Sequence, residues 1–138
     1  MALAIGLFPN SRNTMEASNQ MARFGITRKD IAVATAGEAP QSNPVKPLSV
    51  SGFLEDSLRR GGIRTVGTDI VIQMVREGIS LKDAFASLQG IKKGYTMLAV
   101  HTQSSESPWI AELMRRNGAV EAHDSETEAG MKKLAMVA

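Results

Sequence analysis

Residues 3–8, Leu-Ala-Ile-Gly-Leu-Phe, alternate large and small side chains, the period of a strand with one well-buried face. Pro9 and Asn10 stop it. Asn13 and Glu16 stand at capping-box spacing, and Met15, Ala17, Met21, Ala22 and Phe24 follow a helical stripe to Gly25, a natural C-cap, so the pattern predicts a helix over 13–24. The run Ile31-Ala32-Val33-Ala34-Thr35 is short and β-branched at alternate positions, the signature of a returning strand. Residues 1–36 therefore read as one strand–helix–strand unit.

A second unit over 94–123 has the same order. Residues 95–101 are its first strand. Ser107 as N-cap with Pro108 at N1 opens a helix carrying Ile110, Leu113 and Met114 to Asn117-Gly118, and Ala119 to His123 close as a strand. Between the units, 37–49 is a linker holding Pro40, Pro44 and Pro47, followed by an insertion over 50–93 that predicts three helices. These are placed at about 50–60 (Phe53, Leu54, Leu58), 68–77 capped by Thr68 (Ile70, Val71, Met74, Val75), and 81–92 with Ser80 and Asp83 at capping-box spacing (Ala84, Phe85, Leu88, Ile91). The tail, 124–138, begins acidic and ends Met-Lys-Lys-Leu-Ala-Met-Val-Ala, a short amphipathic helix or a frayed end.

Two such units in one domain, 1–138, predict an α/β (α+β) fold: a ferredoxin-like split β-α-β sandwich, its four-stranded antiparallel sheet carrying two helices on one face, with a helical insertion between the halves. Sorting the strands by bulk puts Leu3, Ile5, Leu7, Ile31, Val33, Leu98, Val100 and Val120 on one face. Ala4, Gly6, Phe8, Ala32, Ala34, Met97, Ala99, His101, Ala119, Glu121 and His123 fall on the other. That second face is half apolar and needs a cover. The insertion is the first choice and a second subunit the alternative, so a homo-oligomer, a dimer by preference, is expected.

Composition narrows the chemistry. With no cysteine, thiol catalysis, iron–sulfur clusters and cysteine-ligated zinc are out, leaving His101 and His123 as the only imidazoles. A net charge of +2 with 4% aromatics argues against nucleic acid, and no apolar run approaches a membrane span. The apolar start lacks a basic n-region and a small-residue cleavage site, so a cytoplasmic protein is expected. Phosphate-loop, dinucleotide, nucleophile-elbow and H-E-x-x-H motifs do not occur, and no catalytic residue or cofactor is nominated.

Several stretches carry a resemblance. They are Gly78-Ile79-Ser80-Leu81-Lys82-Asp83-Ala84, Gly90 to Val100, Ile110 to Leu113, Gly118-Ala119-Val120 with Glu121, and, near the start, Gly6-Leu7-Phe8, Phe24-Gly25 and Asp30 to Val33. In these the chain resembles the bacterial general stress, or heat-induced stress, protein family. Members often carry a glycine- and alanine-rich segment between the halves, where this chain has an amphipathic one with Arg59, Arg60 and Arg64. The resemblance implies a stress-associated role and supports the fold; the matched residues are packing and capping positions, and the family supplies no catalytic residues to carry over.

The dibasic pairs Arg59-Arg60, Lys92-Lys93 and Arg115-Arg116 each sit just ahead of a glycine, the last with Asn117 between, where last-turn cations complement the helix dipole. Arg59, Arg60 and Arg64, with Trp109 at the start of the last helix, are candidates for a partner surface; for Trp109 the competing role is closing that helix against its own core. The methionines suit adaptable packing or a soft partner surface. His101 and His123, in parallel strands on either side of the first strand, are ligand or metal candidates with Glu121, Asp124 and Glu126, although two strand spacings, about 9–10 Å, is wide for one zinc or nickel ion. The leading expectation is a non-enzymatic stress-associated protein acting through self-association and binding of a protein or small ligand. The alternative is a ligand- or metal-binding regulatory module at the His101/His123 end of the sheet.

Overall fold

The alternating N-terminal run forms β1 (Ala2–Phe8), followed by α1 (Ser11–Arg23), a 3-10 turn at Arg28–Asp30, and β2 (Ile31–Ala36). The computed structural model describes residues 2–36, 48–53 and 68–127. Its later elements are β3 (Leu48–Ser51), α2 (Thr68–Arg76), α3 (Leu81–Lys92), β4 (Thr96–Thr102), α4 (Ser107–Arg116) and β5 (Glu121–Asp124). The chain is thus mixed α/β, with a five-stranded sheet in the order β3-β2-β4-β1-β5 and every neighbouring pair antiparallel.

All seven β1 residues are buried because the strand lies between β4 and β5 and both of its faces meet helices. Residues directly opposite across an antiparallel ladder share a face. Leu3 pairs with His101, Ile5 with Ala99 and Leu7 with Met97, while Ala32 pairs with Ala99. The bulky β1 residues therefore sit with Ala32, Ala34, Met97 and Ala99, packed under Ile70, Val71 and Met74 of α2 and Ala84, Leu88 and Ile91 of α3. The other face joins Ala4 and Phe8 to Ile31, Leu98, Val100 and Ala122, under Ala17 and Met21 of α1 and Ile110, Ala111 and Met114 of α4.

This corrects the sorting by bulk. Ile31, Leu98 and Val100 lie opposite the Leu3–Ile5–Leu7 face, because the ladder register, and not side-chain size, decides the partners. Val120 precedes β5 and is 57% exposed. Neither face is the small one, and helices of the 50–93 insertion, the first choice of cover, pack over the face that holds Ala32, Ala34, Met97 and Ala99. Two glycines set the layer spacing. A Cβ on Gly6 would stand 2.5 Å from Met114 Sδ, and one on Gly90 2.7 Å from Leu7 Cδ1, so α4 approaches β1 on one side and α3 on the other.

The local boundaries follow their chemistry with three corrections. Asn10, not Asn13, caps α1, its side chain accepting from the Asn13 N–H. Ser107 is the first helical residue of α4, after Glu106 at the cap, and its hydroxyl turns to Asp124. Residues 48–51, whose last two positions were expected to open a helix, instead pair with β2 as an edge strand; 54–60 and the cap side chain of Thr68 lie outside what is described. Ser80 caps α3 as expected, accepting from the Asp83 N–H at 3.2 Å.

Helices α1 to α4 end alike: the amide after Gly25, Gly78, Gly94 or Gly118, each at positive φ, bonds to the carbonyl five residues back, Ile26 to Met21, Ile79 to Met74, Tyr95 to Gly90 and Ala119 to Met114. Met21, Met74 and Met114 are fully buried there and Met97 in β4, so these methionines fill core, whereas Met15 is exposed.

Candidate functional site

The insertion meets the sheet through both histidines. Opposite Leu3, His101 points into the α2/α3 layer, its ring stacked on Phe53 with centroids 3.9 Å apart and planes 18° from parallel. Its Nε2 lies 3.2 Å from Oε2 of Glu77, just past the end of α2, off the line a hydrogen bond needs. Glu77 is itself held by the Gln73 side-chain amide at 3.1 Å. His123, opposite Ile5, lies on the same sheet face. Its Nε2 is 2.8 Å from Glu121 Oε1 and its Nδ1 is 3.4 Å from Oδ2 of Asp83, in the first turn of α3.

Acid and imidazole thus meet at both ends of the α2–α3 connection: Glu77 with His101 on β4, Asp83 with His123 on β5. The expected single set is divided, because the two histidines contact different carboxylates. Glu121 does join His123. Two residues apart on one strand, they face the same way, and Asp83, Glu121 and His123 each offer a ligand atom within 4.8 Å of the others.

Asp124 belongs elsewhere. Neighbours along a strand point to opposite faces, so it turns into the α1/α4 layer, where it is 3% exposed and accepts from Ser107 Oγ (3.1 Å) and the Thr127 N–H (2.9 Å). It caps the turn that begins at 125. Glu126 is exposed to solvent. Phe53, Glu77 and Asp83 are the partners that sequence reasoning missed. Asp83 had a visible capping role, but nothing local to it says that α3 starts over β5.

A second feature lies on the α1/α4 layer. Phe24 and Trp109 are 62% and 43% exposed, and their rings meet edge to face with centroids 4.7 Å apart. They border a pocket of about 340 Å³, completed by Ile26, Ser105 and Glu106. Glu106 accepts from the Thr102 hydroxyl at 2.8 Å. Of the basic candidates, Arg59, Arg60 and Arg64 lie outside the described residues. Arg115 is structural, donating to the Ala122 carbonyl at 2.9 Å and pairing with Glu112, which Arg116 also approaches. Among the described residues no helix is long and apolar enough to cross a membrane.

Comparison of the chain with protein-family models, with curated proteins and with solved structures finds no match in any of the three.

Proposed function

We propose that the chain is a non-enzymatic, stress-associated binding protein that pairs with a second copy of itself through the Phe24–Trp109 surface. The observation that carries this reading is the exposure of two large, mutually packed aromatic side chains, 62% and 43%, beside a pocket. Rigid aromatic rings of this kind anchor interfaces because they bury much area for little lost rotamer freedom. One surface that offers both projecting rings and a cavity can be self-complementary about a two-fold axis, each copy placing a ring in the other's pocket.

The ferredoxin-like assignment belongs to the same reading. Setting β3 aside, the strands stand in the order β2-β4-β1-β5, which two interleaved strand–helix–strand units produce, and α1 and α4 pack on one face. The stress role is supported by the family resemblance of Gly6-Leu7-Phe8, Phe24-Gly25 and the stretch from Gly90 to Val100. A cytoplasmic setting goes with it.

Sedimentation equilibrium tests the pairing. The wild-type chain is expected to reach a dimer at micromolar concentration, and Trp109→Ala to weaken it by about 2 kcal/mol, or roughly thirty-fold. A wild-type chain that stays monomeric throughout, or a dimer indifferent to Trp109→Ala and Phe24→Ala, contradicts the reading.

A further inference from the structure

The two ring nitrogens of His123 face different carboxylates. Glu121 Oε1 is 2.8 Å from Nε2, a normal hydrogen-bond length, and an ionised carboxylate only accepts, so Nε2 carries the proton. In the neutral ring that leaves the Nδ1 lone pair facing a second carboxylate oxygen, Asp83 Oδ2, at 3.4 Å. A ring nitrogen and a carboxylate oxygen so placed are both suited to ligate one cation held between them. Their 3.4 Å separation matches the edge of a tetrahedral coordination shell, since two ligands bound at about 2.0–2.1 Å lie roughly 3.3–3.4 Å apart.

We propose that His123 Nδ1 and Asp83 Oδ2 bind a divalent ion of the zinc class, with water completing the shell and Glu121 as the positioning residue that fixes the imidazole through Nε2–H. The carboxylate–histidine–metal arrangement is how ligating histidines are ordinarily oriented, and the 2.8 Å contact is too short for Glu121 and Nε2 to be separate ligands of one tetrahedral ion. An imidazole with a carboxylate selects borderline ions such as zinc over calcium or magnesium, which favour all-oxygen shells. All three side chains are half-buried, so the site is open to solvent for entry and for its water ligands. Because Asp83 lies on α3 and His123 on β5, the ion would join the helical insertion to an edge strand of the sheet. The proposal stands apart from the aromatic surface and does not depend on dimerisation.

The test uses the untagged, chelator-stripped full chain titrated with zinc chloride by calorimetry, with bound metal counted after dialysis. One equivalent per chain is expected, accompanied by a rise in melting temperature. His123→Ala and Asp83→Asn should abolish binding, and Glu121→Gln should weaken it about 10–100-fold while the metal-free melting temperature stays unchanged. His101→Ala should leave it intact. Nitrogen-15 NMR of the wild-type chain guards against variants that fail to fold: zinc should shift Nδ1 of His123 and leave Nε2 protonated. Substoichiometric zinc, binding that survives His123→Ala, loss of binding in His101→Ala alone, or a doubly protonated His123 ring in the zinc-treated sample would each overturn the proposal. Equal loss in Glu121→Gln and His123→Ala would overturn the positioning role.

Discussion

Phe24 meets Trp109 edge to face, ring centroids 4.7 Å apart and planes at 88°, joining the residue that caps the end of α1 to the start of α4. The contact links corresponding helices of the two strand–helix–strand units. It also leaves Phe24 62% and Trp109 43% exposed, although the chain covers both faces of its sheet elsewhere.

Gly6 and Met114 form a tight pair across the β1–α4 boundary, where an added Cβ would reach Sδ at 2.5 Å. Gly6→Val should cost about 1–3 kcal/mol through overpacking, read as a lower urea midpoint with an unchanged slope. In a Met114→Ala background the sulfur is gone, so the cost of Gly6→Val should shrink. Additive costs would show that the two side chains do not share the space.

Asp124 and Ser107 are the buried polar pair of the α1/α4 layer. Ser107→Ala leaves Asp124 the Thr127 amide and should cost about 1 kcal/mol, whereas Asp124→Ala takes the acceptor from the Thr127 amide, leaves the Ser107 hydroxyl only the Ser104 carbonyl at 3.4 Å, and should cost about 2–3 kcal/mol by chemical denaturation. Neither change should alter zinc binding, since Asp124 faces away from His123. Zinc binding lost in Asp124→Ala while the fold persists would restore Asp124 to the histidine set.

Phe53 stacks on His101 at 3.9 Å and packs against the α2/α3 core. Phe53→Ala should remove the ring-current shift from the His101 proton resonances and lower stability by about 3 kcal/mol, the low end for truncating an aromatic that is only partly buried. His101 resonances that do not move would show that the rings do not stack in solution.

What could be read from the sequence was mostly local. Gly25 and Gly118 were recognisable as helix ends because only glycine readily takes the positive φ each adopts, and Ser80 because its hydroxyl lies within reach of the Asp83 amide. The β1–β4 register was not readable. A shift of one residue exchanges the two faces, and β4, Thr-Met-Leu-Ala-Val-His-Thr, is apolar enough on both sides to accept either. Edge strand β3 was missed because Phe53, Leu54 and Leu58 follow a helical stripe whose expected start, at 50, took in the end of the strand. At the candidate site, the spacing of Glu121 and His123 on one strand was sufficient to pair them. Bringing Asp83 to His123 required knowing that α3 crosses the sheet at β5, which depends on the packing of Leu88 and Ile91 against β1 rather than on any motif.

Trp109 is the sole tryptophan, so its fluorescence reports the proposed contact without labelling. The most direct measurement is its emission maximum through a dilution series run beside sedimentation. Pairing through this surface predicts a blue-shifted maximum at high concentration that moves to the red on dilution, with the midpoint at the dissociation constant found by sedimentation. An emission maximum that stays constant while the chain passes from dimer to monomer would contradict it.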